Sequence, residues 1–277
     1  MRQTAIKIDN IKNGEPILRW AGSKKTVLSK LRPYLPESYN KYIELFSGSA
    51  CLFFKANPSQ AVLADTNADL INFYRVFSQN PEKIYKIFLS YPRTSTAYYR
   101  ARESIKTESN PDKRAALFLY LNRNCFNGIH RTNSKGHFNV PFSADRIAAY
   151  PAKNVFLTTA EVLKKAQVLC GDFEEICRAQ VEKNDFVYLD PPYYVPNVRV
   201  FKEYSNKPFT IEDFDRLSDL LDFIDKKKAM FMLSYPDCIL SRRIAQRWKS
   251  SRILVKRIVG GTSDSRKGKY ELIIRNY

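Results

Sequence analysis

The sequence predicts a doubly wound α/β sheet interrupted by a basic, mainly helical insertion. Three observations carry that expectation. Between residues 42 and 77 a strand pattern, a turn of small residues, a helix-like run, a second strand, an acid and a further helix follow one another, which is how such a sheet begins. From residue 68 to 153 the patterns are mostly helical and rich in Arg, Lys, Tyr and Asn. After residue 153 strand patterns return. The expected division is a sheet domain of residues 1–67 and 154–277 and an inserted domain of residues 68–153.

Each element has its own warrant. "YIELF" (42–46) reads as a short strand and "SGSACLFFKAN" as a small-residue turn running into a helix. "QAVLADTN" (60–67) reads as a second strand ending in Asp65. In "ADLINFYRVF", Leu70, Phe73, Tyr74 and Phe77 share one helical face. "NPDKRAALFLYLNRNCF" has an Asn110 cap, Pro111 in the first turn and Asp112 near the helix start. "NGIHRTNSKGHFNVPF" reads as a loop or hairpin with turns at Asn-Gly and Lys-Gly. "AQVLCGDF", "DFVYLD", "AMFMLSY", "RILVKRIV" and "YELIIRNY" read as strands. Between them "TIEDFDRLSDLLDFIDKK" is an amphipathic helix, with Thr210 as N-cap and Asp213 in the capping-box position.

Composition narrows the function. A formal net charge of +18 attracts polyanions. Residues 66–153 hold 14 Lys and Arg against 6 Asp and Glu, so the insertion is denser in positive charge than the remainder. The charges are dispersed rather than gathered on one amphipathic helix, which favours nucleic acid over a membrane surface. No apolar run is long enough to span a bilayer, and the N-terminus lacks the apolar core of a signal peptide. Five scattered cysteines without a CxxC pair point to reduced thiols in a cytoplasmic protein. With two histidines, a His-rich metal site is not expected, and no metal is assigned.

Two stretches carry chemistry. In "FSGSA" a small-residue turn at a strand end lets a ligand approach backbone N–H groups. No GK[ST] follows, which argues against a nucleotide triphosphatase. Asp65 suits ribose hydroxyls and equally suits a helix N-cap. The second stretch is "DPPYYVPN" (190–197). Two prolines there give up backbone N–H donors and place a stiff bend beside an acid and an aromatic ring. That geometry suits a flat ring bearing an amine. Tyr193 would stack on the ring, while Asp190 and the Pro191 carbonyl accept the amine hydrogens. Preorganised acceptors stabilise positive charge as it develops on a poorly nucleophilic amine, and Pro191 and Pro192 fix them beforehand.

With these residues in view, the chain resembles DNA adenine methyltransferases of the Dam type, an alpha-group adenine-N6 family with the DPPY tetrad. "LRWAGSKK", "FSGSA", "LADTN", "LFLYLNRNCFNGIHRTNSKGHFNVPF" and "KYELIIRNY" match its elements in order. The resemblance implies a Rossmann-like S-adenosylmethionine-dependent sheet with an inserted DNA-recognition domain. It implies methyl transfer from S-adenosylmethionine to the 6-amino group of adenine in duplex DNA, with GATC the expected target. Trp20, Lys24, Asp65 and Asp190 would contact the cofactor, near Phe46, Ser47, Gly48, Ser49 and Ala50. Asp172 and Phe173 would flank its adenine. Asp190, Pro191, Pro192 and Tyr193 would hold the flipped base. Phe126 would be the wedge and Asn127 a phosphate or base contact. Ile129 and Arg131 would enter the major groove near Pro141, joined by Arg19, Arg123 and Asn139. A cognate restriction nuclease acting separately on the same sites is a further partner the resemblance allows.

Two positions depart from the family pattern. Ala50 replaces a usual glycine and is tolerable only at negative φ. Phe126 stands where tyrosine is common, which keeps stacking and loses a hydroxyl. Phe201 and Tyr204 are candidates for a lid or pocket wall. Two other readings stay open: transfer to another planar amine such as an RNA base, and a catalytically inactive DNA-binding protein.

Overall fold

The computed structural model describes residues 14–144, 148–194, 209–255 and 269–277. Phe201, Tyr204 and Val195–Asn197 of the proline stretch lie outside them. A 3-10 turn over Lys24–Val27, capped by Ser23, runs into α1 (Leu28–Leu31). β1 (Tyr42–Glu44) is followed by α2 (Cys51–Ala56), β2 (Ala61–Asp65) and α3 (Ala68–Gln79). Then come α4 (Pro81–Ser90), α5 (Ser95–Ser104), α6 (Pro111–Asn124) and α7 (Lys153–Leu163). β3 (Ala166–Cys170), α8 (Phe173–Gln180), β4 (Phe186–Leu189), α9 (Ile211–Lys226) and β5 (Met230–Pro236) resume the alternation. α10 (Ile239–Ala245), β6 (Lys249–Val255) and β7 (Lys269–Arg275) follow.

The strands form one sheet in the order β3-β2-β1-β4-β5-β7-β6. β1 to β5 are parallel, and β7 is antiparallel to both β5 and β6. The chain winds outward from β1 to β3, returns to the far side of β1 as β4 and winds the other way. Its switch point therefore lies between β1 and β4, where open α/β sheets place their ligands.

The central parallel strands β1, β2 and β4 are mostly apolar and buried because both faces of the sheet are covered there. Along β1 and β4, Tyr42, Phe186 and Tyr188 face one core, shared with α2, α3, α6 and α7. Ile43, Leu45, Val187 and Leu189 face the other, closed by α8, α9 and α10. The first core runs without a break from the sheet face into residues 68–124: Phe73, Phe77 and Phe118 belong to it together with Tyr42 and Leu63.

Local sequence explains most boundaries. Asn110 accepts the Lys113 N–H at the start of α6, and Thr210 and Asp213 form the full capping box of α9. Among the described residues no helix is long and apolar enough to cross a membrane.

Candidate active site

The switch point opens into a cavity of about 720 Å³. Ser47, Gly48 and Ser49 of the turn between β1 and α2 line it. Ser47 donates its N–H to Ala64, and the Gly48 N–H bonds Asp65 Oδ2 at 3.1 Å. The Tyr74 hydroxyl donates to the Gly48 carbonyl at 2.7 Å. Gly48 has φ +45, and a Cβ there would meet Trp20 Cδ1 at 2.8 Å. Only glycine fits that combination of backbone and close approach. Ser49 Oγ donates to Ser23 Oγ at 3.2 Å, and both hydroxyls lie beside the Cys51 thiol. The Trp20–Lys24 segment is thereby tied to the turn.

Ala50 corrects an expectation. It has φ 51 and ψ 35, in the left-handed region, although an alanine was expected only at negative φ. Its N–H bonds the Ser47 carbonyl at 2.6 Å and its own carbonyl accepts from Phe54, so turn and helix together hold it there. Ala50 is fully buried and does not line the cavity.

Asp65 is not the cap of α3. Asn67 is, accepting from the N–H groups of Asp69 and Leu70. Asp65 instead receives N–H groups from Gly48 and Asn67. Burial raises its pKa against those hydrogen bonds. At the end of β3, Asp172 caps α8 and is paired to Arg216 at 2.5 Å; Arg216 also bonds Glu174 and Asp213. The guanidinium lies 4.8 Å from the centre of the Phe173 ring.

At the end of β4 the proline stretch is anchored from both sides. Lys24 Nζ lies 2.7 Å from Asp190 Oδ1 and donates to the Tyr193 hydroxyl at 3.0 Å. That hydroxyl donates to Glu271 Oε1 at 3.0 Å, and Glu271 Oε2 accepts from Ser234 at 3.1 Å. The Tyr194 N–H bonds the Tyr235 hydroxyl, whose ring meets Tyr193 edge-on at 5.4 Å. Burial pulls the Lys24 ammonium down, but Asp190, Tyr193 and Glu271 outweigh it and hold its pKa above the ordinary lysine range. Lys24 is buried rather than a solvated charge. At the end of β1, burial pushes the Glu44 carboxyl up to about 8. Its Oε2 accepts from the Tyr42 hydroxyl at 2.8 Å.

Trp20, Lys24, Phe46, Ser47, Gly48, Ser49, Asp65, Asp172, Phe173, Asp190, Pro191, Pro192 and Tyr193 all line this one cavity. Sequence reading passed over Glu44, Glu271, Arg216 and His130, of which Glu44, His130 and Arg216 also line it. A signal existed for the two glutamates: each is the one acid of its strand and is followed by apolar residues, in "YIELF" and "YELIIRNY".

Phe126, Asn127, Ile129, Arg131, Asn139 and Pro141 lie elsewhere, on the loop after α6, with Arg123 at the end of α6 and Arg19 packed against the loop at Gly128. The Phe126 N–H bonds the Pro141 carbonyl, Asn139 donates its N–H to Arg131, and Arg131 Nε bonds Asn139 Oδ1 at 2.8 Å. Isolated bridges Cys125–Phe142 and Thr132–Phe138 make this a hairpin. Asn127 (φ 54) and Gly128 (φ 66) turn the chain, leaving Phe126 half exposed at 50%. Arg19 packs against Gly128. Burial and then the Arg19 charge bring the Arg123 pKa down to about 10. Arg19 Nη1 and Arg123 Nε are buried without a hydrogen-bond partner among the described residues. None of Arg19, Arg123, Phe126, Asn127, Ile129, Arg131, Asn139 and Pro141 lines the cavity. The alternate hairpin residues His130, Thr132 and Phe138 do.

A cavity at the switch point beside a basic hairpin is the arrangement in which comparison with known proteins becomes informative. The chain is 33% identical over 274 residues to the type II methyltransferase M1.LlaDCHI of Lactococcus lactis subsp. cremoris, covering 96% of each chain. It is 31% identical to the type II methyltransferase M.MjaIII of Methanocaldococcus jannaschii, covering 95% of this chain and 99% of that one. It is 29% identical to the DNA adenine methylase of Escherichia coli strain K12, covering 95% of each. Residues 20–259 match the D12 class N6 adenine-specific DNA methyltransferase family. That span runs from Trp20 on the cavity wall past the hairpin and the proline stretch, and the chain belongs to this family of adenine-specific DNA methyltransferases.

Proposed function

We propose that this chain transfers the methyl group of S-adenosylmethionine to the 6-amino group of adenine at GATC in duplex DNA. The observation that carries the reading is the union of Ser47–Ser49 and Asp190–Tyr193 in one cavity. The residues present fit such a cofactor. Ser47 Oγ and the Tyr188 hydroxyl are buried with no hydrogen-bond partner among the described residues, at the cavity wall. Glu44, Asp65, Asp172 and Asp190 line the same wall and suit a cation with ribose and amine groups. When bound, the cofactor supplies an electrophilic methyl on a positively charged sulfonium.

The chain's own residues do the rest. Lys24 and Glu271 fix the carboxylate of Asp190 and the hydroxyl of Tyr193, so the acceptors need little reorganisation. Asp190 and the Pro191 carbonyl accept the amine hydrogens while Tyr193 stacks on the base. Trp20, the Ser47–Ala50 turn, Asp65, Asp172 and Phe173 hold the cofactor. Residues 68–153 form the target-reading unit. Phe126 fills the space left by the extruded adenine, which offsets part of the unstacking energy. Arg19, Arg123, Asn127, Ile129, Arg131, Asn139 and Pro141 hold the flanking duplex. Arginine is the best bidentate reader of guanine, and an apolar side chain suits the thymine methyl.

The test is transfer of labelled methyl into two duplexes of equal composition, one with a single GATC and one with that site scrambled. Label on adenine in the GATC duplex alone is expected. Equal label in both removes the specificity while keeping the chemistry. Label in neither, with label in RNA, moves the substrate to RNA.

A further inference from the structure

The register sets Glu44 of β1 between Leu63 of β2 and Tyr188 of β4. Residues two apart on a strand share a face, so Asp65 and Asp190, each two positions further on, stand on either side of Glu44. Three acids thus gather at the switch point, and all three line the cavity. Their surroundings differ. Asp65 receives the Gly48 and Asn67 N–H groups. Asp190 has the Lys24 ammonium at 2.7 Å, and Lys24 also reaches Glu271 at 3.5 Å. Glu44 is buried and accepts from two neutral donors, the Tyr42 hydroxyl and the Phe53 N–H.

The titratable groups that face Glu44 are Tyr42, Asp65, Tyr188 and Asp190 from the three central strands, Cys51 from α2 and Tyr74 from α3. None of these is a cation. Its neighbour in register, the Tyr188 hydroxyl, is buried at the cavity wall without a hydrogen bond among the described residues, which marks this point as one that a ligand completes. A buried carboxyl flanked by two others keeps its proton, because desolvation and like charge both oppose ionisation. The Glu44 pKa near 8 agrees with that placement. A positive charge admitted to the cavity reverses the balance and favours the ionised form. S-adenosylmethionine carries one more positive charge than S-adenosylhomocysteine, on its sulfonium.

We propose that Glu44 exchanges its proton for the charge of the cofactor: it is protonated in the empty cavity, ionises when S-adenosylmethionine binds, and is protonated again once the sulfonium has become a thioether. Glu44 is then a residue that tells substrate from product. The inference rests on the cavity being the S-adenosylmethionine site. The step balances. On binding, the Glu44 O–H bond breaks and the proton passes to solvent. On transfer, the S–CH3 electron pair stays on sulfur, the adenine amine loses one proton as its N–C bond forms, and Glu44 regains one.

The experiment is calorimetric titration of the protein with each ligand in buffers of different ionisation enthalpy, which counts protons exchanged. Glu44→Gln keeps the shape and has no proton to give, so protons exchanged by the ligands themselves remain in that variant and are subtracted. At pH 7, S-adenosylmethionine is expected to release about one proton more from the natural sequence than from Glu44→Gln. S-adenosylhomocysteine is expected to show the same count in both. By linkage, S-adenosylmethionine affinity for the natural sequence, relative to the variant, should rise about tenfold from pH 6 to pH 7 and level off above pH 8, while that for S-adenosylhomocysteine stays flat. Equal release with the two ligands in the natural sequence overturns the proposal, and that comparison needs no variant. Undiminished release in a folded Glu44→Gln overturns the assignment to Glu44. Failure to bind either ligand overturns the cofactor reading, and the proton exchange with it.

Discussion

At Ala50 the cost of a backbone conformation is separable from the cost of a contact. Its φ of 51 places a Cβ where L-residues are penalised by about 1–2 kcal/mol. Glycine has no such penalty but gives the unfolded chain more freedom. Ala50→Gly is therefore expected to stabilise the protein by about 0.5–1 kcal/mol, read as a higher urea midpoint with an unchanged slope. Glu44 gives a second residue-scale expectation. Its pKa lies near 8 in the folded protein against an ordinary 4.5, so between those values the unfolded chain has lost the proton that the folded one keeps. Stability from this group falls as pH rises through that window and levels off above it. Glu44→Gln removes the dependence and is expected to gain on the natural sequence by up to about 1.4 kcal/mol per pH unit. Urea unfolding of both at pH 5, 6, 7 and 8 checks this; parallel curves would refute it.

Between elements, the site depends on pairs that no local pattern encodes. Lys24 precedes α1, Asp190 ends β4 and Glu271 lies within β7, yet the three carry one charge cluster. Lys24→Met leaves two carboxylates without their shared cation and is expected to cost about 3–5 kcal/mol and to abolish transfer. Adding Glu271→Gln should restore much of the stability and none of the activity, measured by thermal unfolding and methyl incorporation. In the hairpin, Arg131 is held by Asn139. Arg131→Ala is expected to lose about 1–3 kcal/mol of discrimination at one base pair, with little change in non-specific binding, in competition assays against singly altered duplexes. These cases mark what was legible. The strands, the caps at Asn110 and Thr210, and the Asp190–Tyr193 tetrad were readable because period, cap and chemistry are local. Glu271 as partner of Tyr193, His130 beneath Trp20 and Arg216 on Asp172 were not, because they are tertiary pairings. The sign of φ at Ala50 was misjudged because the turn and α2 jointly override the residue's own preference.

For the molecule as a whole, the dominant quantity is charge. At +18, duplex affinity is expected to fall linearly on logarithmic axes with salt. If six to ten phosphates are contacted, the loss is about 10³–10⁵ between 50 and 200 mM, read by fluorescence anisotropy; a flat profile would refute a polyanion partner. The order of the sheet has a temporal consequence. Among the described residues β6 is bonded to β7 alone, and β7 separates it from β5. During synthesis β6 is therefore made before it has anywhere to dock, and β5 waits as an open edge of the kind that promotes aggregation. Lys24 is made early and Glu271 late, an interval of about 10–50 s at ordinary elongation rates. For that time Lys24 lacks at least one of the two carboxylates that hold it in the finished fold. The Lys24–Asp190–Glu271 cluster therefore cannot be completed until β7, the last of the described strands, inserts between β5 and β6.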